Sequence, residues 1–136
     1  MDKPILFYST NLKVDPVTVD EALLKGLAPD KGLFMPEEIP VLTTKEIDSF
    51  SDMEYYEIAF VIGKKFLSGK ISDEDLLAIT KDAYDYDIPL EKVYDNKYVM
   101  RLDQGPTASF KDFAARMMGR LINHYLCIQG RKILIK

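Results

Sequence analysis

The stretch Asp103-Gln104-Gly105-Pro106-Thr107-Ala108-Ser109-Phe110-Lys111-Asp112-Phe113 holds the residues best spaced to do chemistry. Gly105-Pro106 is turn chemistry, and it breaks the chain away from whatever precedes it. Ser109 and Asp112 have the spacing with which a hydroxyl and a carboxylate close a helix N-terminus. Lys111 then falls in the first helical turn, where the macrodipole is positive and an ammonium is disfavoured. On a helical projection Ala114, Ala115, Met117, Met118, Leu121, Ile122, Tyr125 and Leu126 form one apolar sector, and Lys111 lies inside it. Asp112, Arg116, Arg120 and Asn123 take the other side, with Asp112 and Arg116 spaced for an i, i+4 pair. Burial and the helix field both oppose the charged amine. An uncharged lysine amine is the form that attacks a carbonyl carbon to build a Schiff base. The plainer alternative is a first-turn lysine whose stem runs along apolar surface while its ammonium reaches water. Geometry alone leans to that alternative.

The elements around this stretch follow from period and punctuation. Ile5 to Ser9 reads as a short strand. Thr18-Val19-Asp20-Glu21 has the form of a capping box, opening a helix from Val19 to Lys25 that Gly26 ends. Pro29, Gly32, Pro36 and Pro40 make the next segment irregular. Thr43-Thr44-Lys45-Glu46 starts a short helix. Ser51-Asp52-Met53-Glu54 starts a longer one that ends at Gly69, and Ser72 caps another through about Tyr84. Asp85 to Pro89 is expected to be a loop, and Tyr98 to Leu102 a strand. A long helix from about Phe110 to Ile128 is ended by Gly130, and Arg131 to Lys136 reads as a further strand. Strand, helix, strand across 98–136 predicts a βαβ unit with parallel strands. A parallel sheet needs more strands and cover on both faces, so this unit is expected to open a larger domain that is cut short. The expected class is α/β: a helix-rich N-terminal domain over 1–95, then the incomplete start of a second domain over 96–136.

Composition bounds the rest. The chain has 136 residues, 47% hydrophobic and 29% charged, in the range of a globular domain. A single cysteine, Cys127, excludes an internal disulfide and offers no zinc-site spacing. That suits a reducing compartment, and with no signal-peptide pattern or spanning segment the expectation is cytoplasmic. A net charge of -4 argues against general nucleic-acid binding. The charge is uneven: 1–100 holds 11 basic and 20 acidic residues, and 101–136 holds 7 and 2. A basic C-terminal third could draw in a small anion or could be a solvated helix face. His124, late in the long helix, reads as a partly exposed residue near the C-terminal dipole. Cys127 reads as a buried small hydrophobe, and Ser72-Asp73-Glu74-Asp75 as helix-start chemistry rather than a metal site.

The segment Gly105-Pro106-Thr107-Ala108-Ser109-Phe110-Lys111-Asp112-Phe113 resembles the signature around the cofactor lysine of threonine synthases, Gly-Pro-Thr-x-x-Phe-Lys-Asp at a helix start. Upstream, Tyr8-Ser9-Thr10 resembles that family's N-terminal strand, and Glu21 through Glu37 its following helix and Gly-Leu-rich loop. The resemblance spans essentially the whole chain. Departures are Asn11 where many members have Arg, Lys31 in place of a common Gly, and Asp103-Gln104 where an aromatic and His or Asn are frequent.

The resemblance implies a tryptophan-synthase-β-like fold, fold type II among pyridoxal-phosphate enzymes. It implies conversion of O-phospho-L-homoserine and water to L-threonine and phosphate. Lys111 would hold pyridoxal 5'-phosphate as an internal aldimine and then shuttle protons. Thr107 and Ser109 become candidate substrate-binding hydroxyls, donors to an anion at the helix N-terminus. A backbone loop for the cofactor phosphate is not seen in the sequence, since the glycines after Gly69 are the isolated Gly105, Gly119 and Gly130. Turnover is therefore expected only with the remainder of a longer polypeptide. No metal, nucleic acid or membrane enters this reading. The competing reading, from another class, is a non-catalytic interaction domain that retains the family's N-terminal sequence.

Overall fold

Helices α3 (Tyr55–Leu67), α4 (Asp73–Ala83) and α5 (Lys111–Gln129) build the main core of the protein. It was obtained as a computed structural model that describes residues 4–132. Leu67, Leu76, Leu121 and Tyr125 are buried at the centre. Phe60, Phe66, Ile79 and Met117 pack around them, and Val19, Leu23 and Leu24 close the cluster from α1 (Val19–Lys25). Each helix brings one apolar stripe, and three stripes facing inward remove one another from water. A short α2 (Thr44–Ser49) and a single 3-10 turn over Phe50–Asp52 lead into α3. Among the described residues no helix is long and apolar enough to cross a membrane.

Two small antiparallel sheets complete a mixed α/β architecture. Strand β1 (Phe7–Ser9) pairs with β2 (Phe34–Pro36), Tyr8 opposite Met35. Between them the Tyr-Ser-Thr segment folds around Asp30. Its Oδ1 accepts from Ser9 Oγ at 2.6 Å and from Gly32 N at 3.0 Å, and its Oδ2 accepts from Lys13 N at 3.1 Å. Ser9 is fully buried, and a Cβ on Gly32 would stand 2.1 Å from its hydroxyl. Neighbouring Lys31 has a φ of 69°, a left-handed conformation that glycine adopts without strain.

The second sheet adds a pairing that the sequence reading did not foresee. The strand foreseen over 98–102 is present as β4 (Lys97–Met100), but its partner is β3 (Leu90–Tyr94) in an antiparallel hairpin. Asp95, at φ 48°, turns the chain between them. Of the further strand expected over Arg131–Lys136, Arg131 and Lys132 are not in a strand, and residues 133–136, with the expected parallel pairing, lie outside the described residues. Leu90, Val93, Tyr94, Tyr98 and Val99 are all exposed, so the hairpin carries apolar side chains that the helical core does not cover.

The helices match their expected positions, while several caps differ. Thr18 precedes α1 without a side-chain cap, and the Glu21 carboxylate pairs with Lys25 at 2.6 Å rather than reaching back to it. The reciprocal box forms at Thr43/Glu46 instead, and Glu54 with Glu57 makes another at α3, three residues after the expected start. Ser72 caps α4 as foreseen, accepting from Asp75 N at 3.0 Å. Gly130 ends α5 in the left-handed conformation, φ 62°. Although α5 lies in the stretch 96–136, it shares its core with α3 and α4.

Candidate functional site

Gly105 to Ala108 forms the turn before α5, closed by Ala108 N donating to Gly105 O at 2.9 Å. The expected Ser109–Asp112 box does not form. Asp112 reaches back five residues instead: Oδ2 accepts from Thr107 N at 2.9 Å and Oδ1 from Thr107 Oγ1 at 2.8 Å. Ser109 Oγ accepts from Lys111 N at 3.3 Å, which leaves its own hydroxyl proton available for another acceptor. Asp112 is buried, 4% exposed, and not on the solvated face that its helical position suggested. A buried carboxyl group is tolerated there because two donors and the positive helix end compensate its lost hydration.

Lys111 is exposed, so the desolvation expected from its apolar sector is not supplied by the described residues. The sector itself divides. Leu121, Ile122, Tyr125 and Leu126 are buried, whereas Ala114, Ala115 and Met118 stand open beside Lys111. Together with Tyr55, Met100, Leu102, Phe110 and Phe113 they line an open apolar trough of about 540 Å³, with Lys111 the one charged residue on it among the described residues. No carboxylate among the described residues pairs with Lys111. The basic residues around it are spent otherwise: Arg101 on Glu91 and Asp103, Arg116 on Asp85, and Arg120 on Asp82. Hydrogen bonds to Arg101 hold the Asp103 carboxyl far below the usual carboxylate range.

The first turns of α5 are anchored by an aromatic cluster that borders the trough. Tyr55, Tyr84 and Tyr86 surround Phe113, with Tyr55 and Tyr86 edge-on at 5.7 Å and 5.8 Å between ring centroids. The Tyr84 hydroxyl donates to Phe113 O at 3.0 Å, and burial pushes that phenol up to about 12, so it stays a donor. Arg116 does not pair with Asp112. Its Nε donates to Ala83 O at 2.6 Å and its Nη2 to Asp82 O at 2.9 Å, capping the end of α4.

The remaining candidates lie apart from the trough. His124 is half-buried, edge-on to Tyr125 at 5.4 Å, with Nε2 unpartnered among the described residues. Cys127 is exposed, which corrects the expectation of a buried hydrophobe, because it projects from the side of α5 away from Leu126. No metal-holding group of side chains occurs among the described residues. Sequence reasoning missed the trough's contributions from Tyr55, Met100 and Leu102, and the Thr107–Asp112 bond. The first come from distant segments, and five-residue spacing is not a standard cap.

Comparison with known proteins bears on this geometry. A family model described as "Threonine synthase N terminus" matches residues 6–84. The chain is 37% identical over 134 residues to the threonine synthase of Pseudomonas aeruginosa, covering 95% of this chain and 29% of that protein. It is 33% identical over 132 residues to that of Schizosaccharomyces pombe, covering 93% and 26%. A crystal structure of PLP-bound threonine synthase from Brucella melitensis superposes with a TM-score of 0.88 at 30% identity, covering 93% of this chain and 28% of that one. The Escherichia coli enzyme gives 0.82 at 27% identity, covering 88% and 28%. The chain thus spans less than a third of the length of the relatives it matches.

Proposed function

Since this chain belongs to the threonine synthase N-terminus family, we propose that it carries the cofactor lysine, Lys111, of a pyridoxal-phosphate enzyme making L-threonine and phosphate from O-phospho-L-homoserine and water. The observation that carries this is an amine without a carboxylate partner among the described residues, at a helix N-terminus and on a trough otherwise lined by apolar and aromatic side chains. The residues fit the group. A planar pyridine ring suits a floor of Phe110, Phe113, Leu102 and Met118, and an aldehyde needs one amine beside that floor. The trough volume lies within the roughly 300–1,000 Å³ usual for small-molecule sites.

When bound, pyridoxal phosphate supplies the electron sink for loss of phosphate and addition of water. Lys111 would hold it covalently through Nζ and, when released, would take and return protons at that same atom. The apolar side chains beside it offer the ring a surface to pack on. Ser109 is the candidate donor to an anion at the helix N-terminus, its hydroxyl proton being uncommitted. Thr107, whose hydroxyl and amide both serve Asp112, acts here by holding the turn. In this reading 1–95 is the supporting domain and 96–136 opens the catalytic one. The setting is cytoplasmic, without nucleic-acid or membrane partners.

Borohydride reduction of the full-length protein with pyridoxal phosphate should fix a cofactor-derived mass on the peptide containing Lys111. Lys111→Ala should lose both that mass and turnover. Normal turnover by Lys111→Ala refutes the assignment. The 136-residue chain alone should show no turnover.

A further inference from the structure

Asp112 is a nearly fully buried carboxylate one residue from an exposed lysine, yet it turns away from that lysine to the preceding loop. Both of its oxygens are taken by one residue, Thr107, through the amide and the hydroxyl. The loop backbone lies directly against it: a Cβ on Gly105 would stand 2.5 Å from Asp112 Oδ2 and 2.8 Å from Asp112 Cβ. Ala108 is held at φ 54°, a left-handed conformation that a β-carbon disfavours. A helix start that needed only a cap could have used Ser109 at no such cost in burial and backbone strain.

What this arrangement fixes is where α5 begins and in which direction the chain enters it. Lys111 is the first residue of α5, whose rotation is fixed further along by the buried Leu121 and Tyr125. A helix that began one residue later would leave Lys111 in the preceding loop, no longer held beside the trough. The same bonds keep the nearest carboxylate occupied, so it is not drawn to Nζ as an ion-pair partner.

We propose that Asp112 is the positioning residue for Lys111, locking the Gly105–Ala108 turn through Thr107 so that Nζ is presented to the trough without a counter-ion. The proposal rests on the reading of Lys111 as the cofactor lysine.

The test uses the full-length protein with pyridoxal phosphate and the variants Asp112→Ala, Thr107→Val and Thr107→Ser. Two rates are read, turnover and the reattachment of cofactor to Lys111 after its removal, the latter by borohydride fixation and peptide mass. Thr107→Val keeps the amide bond to Asp112 but loses the hydroxyl bond. It should slow reattachment and lower kcat about tenfold while KM stays within about twofold, and Asp112→Ala should do more. Thr107→Ser restores the hydroxyl and should recover most of the loss. If Thr107→Val and a folded Asp112→Ala lower only the melting temperature, with reattachment and kcat unchanged, Asp112 merely caps a helix and the proposal falls. If Asp112→Ala does not fold, Thr107→Val with its serine rescue decides alone. Turnover that survives in Lys111→Ala instead overturns the underlying reading, whatever the Asp112 variants do.

Discussion

Replacing Arg116 by methionine tests what holds the lysine helix to the rest of the fold. The guanidinium makes three bonds: Nε to Ala83 O at 2.6 Å, Nη2 to Asp82 O at 2.9 Å, and Nη2 to Asp85 Oδ1 at 2.5 Å. Ala83 is the last residue of α4 and is 0% exposed, so its carbonyl has neither a helical partner nor water once the guanidinium is gone. An orphaned buried acceptor costs about 1–3 kcal/mol. The Asp85 pair adds little, about 0–1 kcal/mol, because that carboxylate is largely exposed. Loss of the cation over the Tyr86 ring, at 5.6 Å, contributes about 0.5–1 kcal/mol more. Methionine preserves the apolar stem, so packing changes little. The expected destabilisation is about 2–4 kcal/mol, read as a drop in the urea midpoint of about 1–2 M at unchanged m. Arg116→Lys keeps the charge but carries its donors on a single nitrogen, and should lose roughly half as much. A loss below about 0.5 kcal/mol in both variants would mean that water reaches the end of α4 and that Arg116 does not join the helices.

Two further predictions address the N-terminal half. Gly32→Ala places a Cβ 2.1 Å from the buried Ser9 hydroxyl and 2.9 Å from Asn11 N, so the Ser9–Asp30 bond must break. Urea unfolding should show a loss of about 2 kcal/mol or more, and a neutral result would mean that the loop yields freely. Lys65, followed by the Thr43 amide and hydroxyl, pulls the Glu46 carboxyl from the ordinary 4.5 down to about 2. A depressed folded-state value means that the stabilisation is complete above the unfolded value and disappears as pH falls through the folded one. Glu46→Gln should therefore flatten the loss of stability between about pH 4.5 and pH 2 in acid-unfolding curves. An acid limb identical to the parent's would show that this box contributes nothing.

The helices were legible because their apolar stripes, start residues and closing glycines act locally; α1, α4 and α5 lie within a residue or two of their expected bounds. The hairpin was not. Leu90 to Tyr94 alternates weakly, and Asp95-Asn96 lacks the glycine that marks most two-residue turns. Lys111 was legible as an unusual lysine, but its surroundings were not. The sector that seemed uniform splits because the core takes only the side containing Leu121 and Tyr125. Arg116 was read as a partner of Asp112 because i, i+4 spacing is the nearest local explanation. The structure prefers a contact more than thirty residues away, since the end of α4 has carbonyls that nothing else can serve.

The two segments that carry the family resemblance use one physical device twice. At Asp30 a carboxylate accepts from a serine hydroxyl and from backbone amides, and Gly32 lies where a β-carbon would strike that serine. At Asp112 a carboxylate accepts from a threonine hydroxyl and its amide, and Gly105 lies where a β-carbon would strike the carboxylate. In each case a short acid, a hydroxyl residue and a glycine must all be present, because removing any one leaves a polar group unpaired or a collision in its place. Next to each lock stands a residue with positive φ, Lys31 or Ala108, whose strain the lock must outweigh. Such triads define a sequence signature because three side-chain identities are demanded at once, whereas an apolar core position accepts several. The first lock joins β1 to the loop before β2 and touches no trough residue, so its motif is architectural. The second sits one residue from Lys111, where the proposed reading of that lysine would give the same device a chemical role.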